Sequence, residues 1–245
     1  MTPTPGNEEI LTQLRAFLVA VLDADVVVVQ GQPNRVPEPS ATGFVVMQPP
    51  RFERLRTNVD GFVDVLFTGS IAGAVMTVTE VERGSILPKL QVFGVDVAAG
   101  TKIVEQISGT TGGPGTYTVS QTQTVGSRAL SAGYQSVEQG AQATVRIDFH
   151  AADGSSGDMA QTVSTLLRDS YGVDQFSSQT PNYGVVPLHA DDPKQTPFLN
   201  GEQQVEWRWS LDAMLQVNQV ILVPMQFADS AVVGLVNVDV RYPAT

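Results

Sequence analysis

Residues 107–125, ISGTTGGPGTYTVSQTQTV, are rich in glycine, threonine and serine and include no charged residue. A glycine-rich segment of this kind either cradles a phosphate or forms tight turns between short strands. A P-loop needs a lysine directly after its last glycine, and no lysine follows any glycine here. Pro114 also removes a backbone N–H that a phosphate cradle would use. The segment therefore predicts turns and strands.

The sequence on both sides extends this β pattern. From residue 67 to residue 127, short β-branched runs alternate with glycines, and few charged residues interrupt them. Such runs predict a small antiparallel sheet. The character of the sequence changes near Val65 and again near Arg128, so we expect residues 65–127 to form an inserted all-β module. Residues 1–64 and 128–245 then form one discontinuous domain.

The remainder of the chain combines helical and strand patterns. Residues 7–22 carry an apolar stripe that predicts an amphipathic helix capped by Asn7, and a second helix is expected at 159–171 after an Asp158 cap. Strands are expected at 25–32, 44–50, 143–149, 205–211, 217–226 and 233–242, with a long loop at 179–204. The predicted fold class is α+β: a mixed or antiparallel sheet flanked by helices, interrupted by the small all-β domain.

Composition excludes several classes of function. The 245 residues carry a net charge of −11 and no cysteine. A nucleic-acid clamp needs clustered cations, and a thiolate zinc site needs cysteines, so neither is expected. No apolar run is long enough to span a bilayer, and the first residues lack the features of a signal peptide. We expect a soluble protein made in the cytosol.

Motifs for covalent or cofactor chemistry are missing from the sequence. Neither the GxSxG nucleophile elbow nor the GxGxxG dinucleotide pattern occurs. His150 ends a predicted strand with Asp148 on the same face; a solvent-facing histidine is expected there, and a catalytic dyad is the alternative. We predict no catalytic residue and no cofactor.

His189, Asp191 and Asp192 form a second polar group. A histidine with carboxylates can bind a divalent cation, but Asp192–Pro193 is a common start of a turn. No further histidine or acidic triplet lies close in sequence, so no metal site is predicted.

The sequence allows two roles for a pair of tryptophans and two roles for a cluster of arginines. Trp207 and Trp209 lie on one face of a predicted strand, where core packing is expected and a stacking platform for a sugar or base is the alternative. Arg51, Arg54 and Arg56 form a basic cluster in an acidic protein. Such a cluster is either a solvated face or a contact with an acidic neighbouring subunit.

Several segments resemble the neck or tail terminator proteins of tailed bacteriophages. The resemblance lies in RFERLRTNVDGF at residues 51–62, in residues 136–176 and 184–229, and in VGLVNVDVRYP at residues 233–243. The middle segment is similar to a glycine-rich β module found in many phage structural proteins, where it decorates virion surfaces. Its signature is GS-I-x-G-x-x-x-TV from Gly69, then AGT-x-I, then G-x-GTYTVS.

The resemblance implies a terminator-type domain that assembles into a homo-oligomeric ring, usually of six subunits. The ring would cap the tail tube, with a sheath below it if the tail contracts, and join it to the neck or head-completion protein above. Genomic DNA would pass through the channel without being read, and no membrane would be involved. The protein would be synthesised in the host cytoplasm and reside in the virion at the neck–tail junction.

Under this resemblance, the interface residues are expected to be Arg51, Arg54, Arg56, His189, Asp191 and Asp192. Two other classes of function stay open. One is a virion-surface carbohydrate-binding protein that uses Trp207, Trp209 and Tyr117. The other is a metal-dependent hydrolase that uses His189, Asp191 and Asp192.

Overall fold

A computed structural model of the chain describes residues 2–31, 43–151, 154–196, 198–199 and 205–227. The chain divides into two compact units. Unit 1 comprises residues 1–61 and 136–222, and unit 2 comprises residues 62–135 and 223–245. The predicted module at 65–127 falls within the wider bounds of unit 2.

The sheet of unit 1 is mixed, as the α+β prediction required. Within the described residues it has nine strands, in the order β1-β2-β8-β12-β10, with β3 and β4 also beside β8 and with β9 and β11 also beside β12. The β1–β2 pair is parallel, and the other pairs with a given register in this sheet are antiparallel. The strands are β1 (Val27–Gln30), β2 (Gly43–Met47), β3 (Arg51–Arg54), β4 (Val59–Val63), β8 (Tyr134–Ala151), β9 (Val186–Ala190), β10 (Lys194–Gln195), β11 (Phe198–Leu199) and β12 (Val205–Pro224).

Strands β2 and β3 follow one another along the same partner, β8. Phe44 lies opposite His150 and Arg54 lies opposite Ala141. Between the two strands, the Gln48 N–H donates to the Arg146 carbonyl (2.8 Å). The pair thus behaves as one interrupted strand along β8.

Helix α1 (Asn7–Val21) forms as its apolar stripe predicts, but its cap differs from the prediction. Gly6 occupies the N-cap, and its N–H donates to the Glu9 carboxylate at 2.5 Å. Asn7 is therefore the first helical residue. The Glu9 side chain reaches back to Gly6 because it lies three residues on, which is the spacing of a capping box.

The second predicted helix is in fact two helices. Helix α2 spans Ser156–Leu167 and helix α3 spans Ser170–Ser178, so neither the Asp158 cap nor an end near residue 171 is correct. Arg168 is the C-cap of the first helix, and Asp169 caps the second, since its carboxylate accepts a hydrogen bond from the Tyr171 N–H at 2.9 Å.

The core of unit 1 lies between these helices and the sheet. Phe17 of α1 and Phe176 of α3 are both buried, with ring centroids 5.3 Å apart. Gln13 is also buried, and its side chain bonds to backbone atoms of α3 and of the chain between α3 and β9. The sheet contributes buried apolar residues chiefly from β8 and β12, namely Ala141, Ala143, Val145, Ile147, Phe149, Leu211, Ala213, Leu215 and Val217.

Unit 2 contains a three-stranded antiparallel sheet in the order β5-β7-β6. The strands are β5 (Leu66–Arg83), β6 (Ile103–Gly109) and β7 (Gly115–Ser131). The turn interpretation of the glycine-rich segment is confirmed, because residues 110–114 connect β6 to β7. Gly109 has φ +100°, and a Cβ there would lie 2.2 Å from the Pro114 carbonyl oxygen, so only glycine fits.

The repeat-like signature of the middle segment has a structural explanation. In the AGT triplet, Gly100 has φ +80° and Thr101 is buried, with its hydroxyl donating to the Ala98 carbonyl at 2.6 Å. Gln123 also donates to that hydroxyl (2.8 Å). In GTYTVS, Tyr117 is fully buried and its hydroxyl donates to the Gly113 carbonyl at 2.5 Å. The residues of this signature therefore form turns and partly buried hydrogen bonds.

Two other expectations about the C-terminal half are wrong. The segment 179–204 is not a plain loop, since β9, β10 and β11 lie within it and pair with β12. Residues 205–211 and 217–226 are predicted as separate strands, whereas one continuous strand, β12, runs from Val205 to Pro224. No glycine or proline interrupts residues 205–223, so nothing forces a turn there. The strand predicted at 233–242 lies outside the described residues.

Candidate interface surfaces

The three predicted arginines do not share one environment. Arg51 and Arg54 lie in β3, whose four residues are all exposed. Arg54 donates to the Arg56 carbonyl (2.8 Å) and to the Asn58 side chain (3.1 Å), both uncharged acceptors. Arg56 forms an ion pair with Glu138. Among the described residues, Arg51 and Arg54 have no carboxylate partner, so their charges are not balanced.

Large apolar side chains are exposed beside these arginines. Phe52 is 38% exposed, Leu55 is 51% exposed and Val59 is 50% exposed. In RFERL, the side chains of Arg51, Glu53 and Leu55 share one face of a strand, and those of Phe52 and Arg54 share the other. We call residues 51–55 the β3 ribbon. Sequence reasoning selected its arginines but missed its apolar residues.

The other predicted cluster lies at the end of β9. His189 is exposed within β9, and Asp191 and Asp192 follow the strand. Asp192 accepts a hydrogen bond from Arg168 at 2.8 Å and forms an ion pair with it. The Asp191 backbone makes two hydrogen bonds. Its N–H donates to the Asp212 carbonyl, and its carbonyl accepts from the Ser164 hydroxyl. The structure thus brings His189, Asp191 and Asp192 into one surface cluster, whereas the arginines lie on β3.

Neighbouring charged side chains lower the pKa of Asp192. The hydrogen bond from Arg168 holds the pKa of Asp192 below its usual range, and the charges of Arg168, His189 and Lys194 act in the same direction. Within the part of the chain that the structure describes, no group of three or more histidine or acidic side chains is arranged to hold a metal ion. The carboxylate of Asp192 is engaged by a guanidinium, which competes with any cation for it.

His150 is not the solvent-facing histidine that the sequence predicted. It is 7% exposed, and its ring stacks on Phe44 with centroids 4.4 Å apart. The prediction was wrong because β8 continues to Ala151 and pairs with β2 as far as that residue. Asp148, on the same face, accepts hydrogen bonds from Ser210 (2.6 Å) and Gln48 (3.2 Å). This carboxylate therefore links β2, β8 and β12.

The tryptophans divide between core and surface. Trp209 packs against the unit 1 core beside Gly157, at the start of α2. Trp207 is 53% exposed, so the core prediction is wrong for this residue. The two tryptophans are two residues apart along the strand, a rise of about 7 Å. The first turn of α2 covers only Trp209. The third aromatic residue of the carbohydrate alternative, Tyr117, is fully buried and offers no stacking face.

The protein has an α+β fold that is rich in β strands. Its exposed residues in β3 and at the end of β9 form surfaces for contact with other proteins. None of the helices in the described ranges combines the length and apolarity that a membrane crossing requires. The family model described as phage neck terminator protein matches residues 8–240. Because the match spans nearly the whole sequence, the chain belongs to this family. A comparison with curated proteins gives no match.

Family membership has direct consequences. The protein is a structural component of the phage neck, it is located in the virion, and it associates with other neck or tail proteins. Proteins of this family are structural, and their role is generally not enzymatic.

Proposed function

We propose that this protein forms a homohexameric terminator ring that caps the tail tube and joins it to the neck or head-completion ring. Genomic DNA passes through the channel of this ring without base-specific contacts. The observation that carries the proposal is the family match over residues 8–240. The net charge of −11 supports it, because an acidic wall repels the phosphate backbone and lets DNA slide past.

Within the ring, we assign the two surface clusters different contacts. Arg51, Arg54 and Arg56 face a neighbouring subunit, which is supported by the exposure of β3 and by the two arginine charges that no described carboxylate balances. His189, Asp191 and Asp192 face a neighbouring ring of the neck or tail. Exposed Val186 (41%) and Leu188 (43%) in β9 support a contact there.

Residues 65–127 form an inserted decoration module in this proposal. Its strands β6 and β7 form a hairpin closed by residues 110–114, and its buried residues include Phe67, Met76 and Tyr117, so it has a core of its own. A module of this kind is compatible with a position on the outside of a ring. Its removal and replacement by a short linker then leaves ring formation intact.

Electron microscopy of the purified protein and of virion necks tests the proposal. We expect closed rings of six subunits with an open centre, together with a molar mass six times that of the 26.2 kDa chain by light scattering. A protein that remains monomeric in solution and does not form a ring in the neck would contradict it.

A further inference from the structure

The β3 ribbon has the features of an insertion element. Its pairing with β8 proceeds residue by residue from Arg51 opposite Thr144 to Arg54 opposite Ala141, so successive side chains alternate between its two faces. Arg51 and Arg54 therefore lie on opposite faces of the strand. An exposed edge strand of this kind is a ready site for contact with another chain.

A second surface of unit 1 has complementary chemistry. A groove of about 460 Å³ lies between the chain that follows α1 and the start of α2. The partly buried side chains of Val21, Leu22, Val26 and Met159 give it apolar walls. Three exposed aspartates also line it, namely Asp23, Asp25 and Asp158. We call this surface the acidic groove.

The carboxylates of the acidic groove have no cationic partner among the described residues. Asp23 and Asp25 lie on the wall that follows α1, and Asp158 lies on the wall formed by α2. The groove therefore has anions on two walls, and the ribbon has one arginine on each face, with Glu53 on the same face as Arg51. Fitting the one into the other would pair both sets of charges and cover exposed Leu55 with apolar side chains.

The ribbon and the groove lie too far apart to meet within one subunit. Arg54 is opposite Ala141, and Gly43, which lines the groove, is opposite Ala151. A strand rises roughly 3.3 Å per residue, so these two points of β8 are about 30 Å apart. A contact between them must join two subunits head to tail, and repeated contacts of that type form a ring when the rotation from one subunit to the next closes.

We propose that the β3 ribbon of each subunit inserts into the acidic groove of the next subunit, with Arg51 and Arg54 paired with Asp23, Asp25 and Asp158. The inference rests on the proposed ring and specifies the contact that closes it. The occupant of the groove is a second copy of this chain.

Charge reversal tests this contact. One variant carries Arg51→Glu and Arg54→Glu, and the other carries Asp23→Lys and Asp25→Lys. Each variant alone places like charges against each other, so we expect the protein concentration for half-assembly to rise roughly tenfold or more. Light scattering and electron microscopy measure the assembly. The matched control, Lys89→Glu with Lys102→Glu, reverses two exposed lysines of unit 2 and should form rings as the wild type does.

Mixing the two variants provides the decisive measurement. In an equimolar mixture, a glutamate-bearing ribbon meets a lysine-bearing groove, and the next contact has the wild-type charges. We expect rings of alternating subunits, which close without a repulsive contact when the number of subunits is even. Recovery in the mixture also shows that both variants are folded.

Each result decides a different point. If the wild type and both variants form rings equally well, the ribbon-to-groove contact is wrong while the ring stands. If both variants lose the ring and the mixture does not restore it, the proposed pairing of the two surfaces is likewise wrong. If the wild type forms no ring in solution or in virion necks, the proposed function fails and this inference fails with it.

Discussion

The two units of this protein are stabilised in different ways. In its described residues, unit 1 joins three helices to a mixed sheet, and its core gathers residues from distant parts of the chain, such as Phe17 and Phe176. Unit 2 has a core of its own, built from the β6–β7 hairpin, from β5, which pairs with β7, and from the long connection between β5 and β6. Unit 1 therefore depends on side-chain packing, whereas unit 2 also depends strongly on backbone conformations that only glycine adopts easily.

The largest expected effect comes from removing a ring in the core of unit 1. Phe17→Ala should lower the free energy of unfolding by about 3–5 kcal/mol, because Phe17 is fully buried and the helix cannot close the cavity. Chemical denaturation followed by circular dichroism measures this change. Val19→Ala on the same helix is the control, since Val19 is 52% exposed and should change stability by less than about 0.5 kcal/mol. Similar losses for both variants would show that α1 is not held by core packing.

A backbone substitution should produce the next largest effect, and in unit 2. Gly109→Ala forces a side chain into φ +100° against the Pro114 carbonyl, which should cost about 3 kcal/mol. Gly73→Ala is the matched control, because Gly73 also has a positive φ (+65°) but has open space around its Cβ position. We expect a cost of only about 1 kcal/mol there.

Amide hydrogen exchange would assign the Gly109 effect to a region. Faster exchange should be confined to β6 and β7, with α1 unchanged, because the strained turn belongs to unit 2. Equal acceleration in α1 would contradict the view that the units depend on different features.

A buried amide of unit 1 should have a smaller effect. The Gln13 side chain accepts hydrogen bonds from the Tyr183 N–H (3.1 Å) and the Val185 N–H (3.4 Å) and donates one to the Phe176 carbonyl (2.9 Å). Gln13→Ala should cost about 1–3 kcal/mol, since these backbone groups lose their buried partner. Thermal unfolding compares it with Gln161→Ala, an exposed glutamine of α2 that should be nearly neutral.

The smallest expected effect concerns the exposed pair of Arg168 and Asp192. Because the pKa of Asp192 is lowered in the folded state, the pair contributes stability above the ordinary aspartate value of 3.8 and loses it as the pH falls through the depressed pKa. Arg168→Gln should raise the pKa of Asp192 toward that ordinary value. Carboxyl NMR titration measures the shift, and Arg83→Gln, which removes the partner of Asp64 in unit 2, should leave Asp192 unchanged.

Part of the proposed interface could be predicted from the sequence and part could not. The cluster at residues 51–56 stands out because it is basic within an acidic chain, so charge alone selects it. The structure adds that Arg56 forms an ion pair with Glu138 of β8, which strand pairing brings close. Among the described residues, Arg51 and Arg54 have no such partner. The acidic groove was missed entirely, because Asp23 and Asp158 are distant in sequence and meet only through the packing of α1 and α2.

The features that local interactions control can be read from the sequence. The stripe of α1 and the turns of residues 109–115 follow from side-chain periodicity and from the φ values open to glycine, which depend on few neighbours. Tertiary structure alone decided the length of β12, the burial of His150 and the exposure of Trp207. These depend on which distant strand or helix covers a residue, and that coverage is a property of long-range packing that local sequence does not contain.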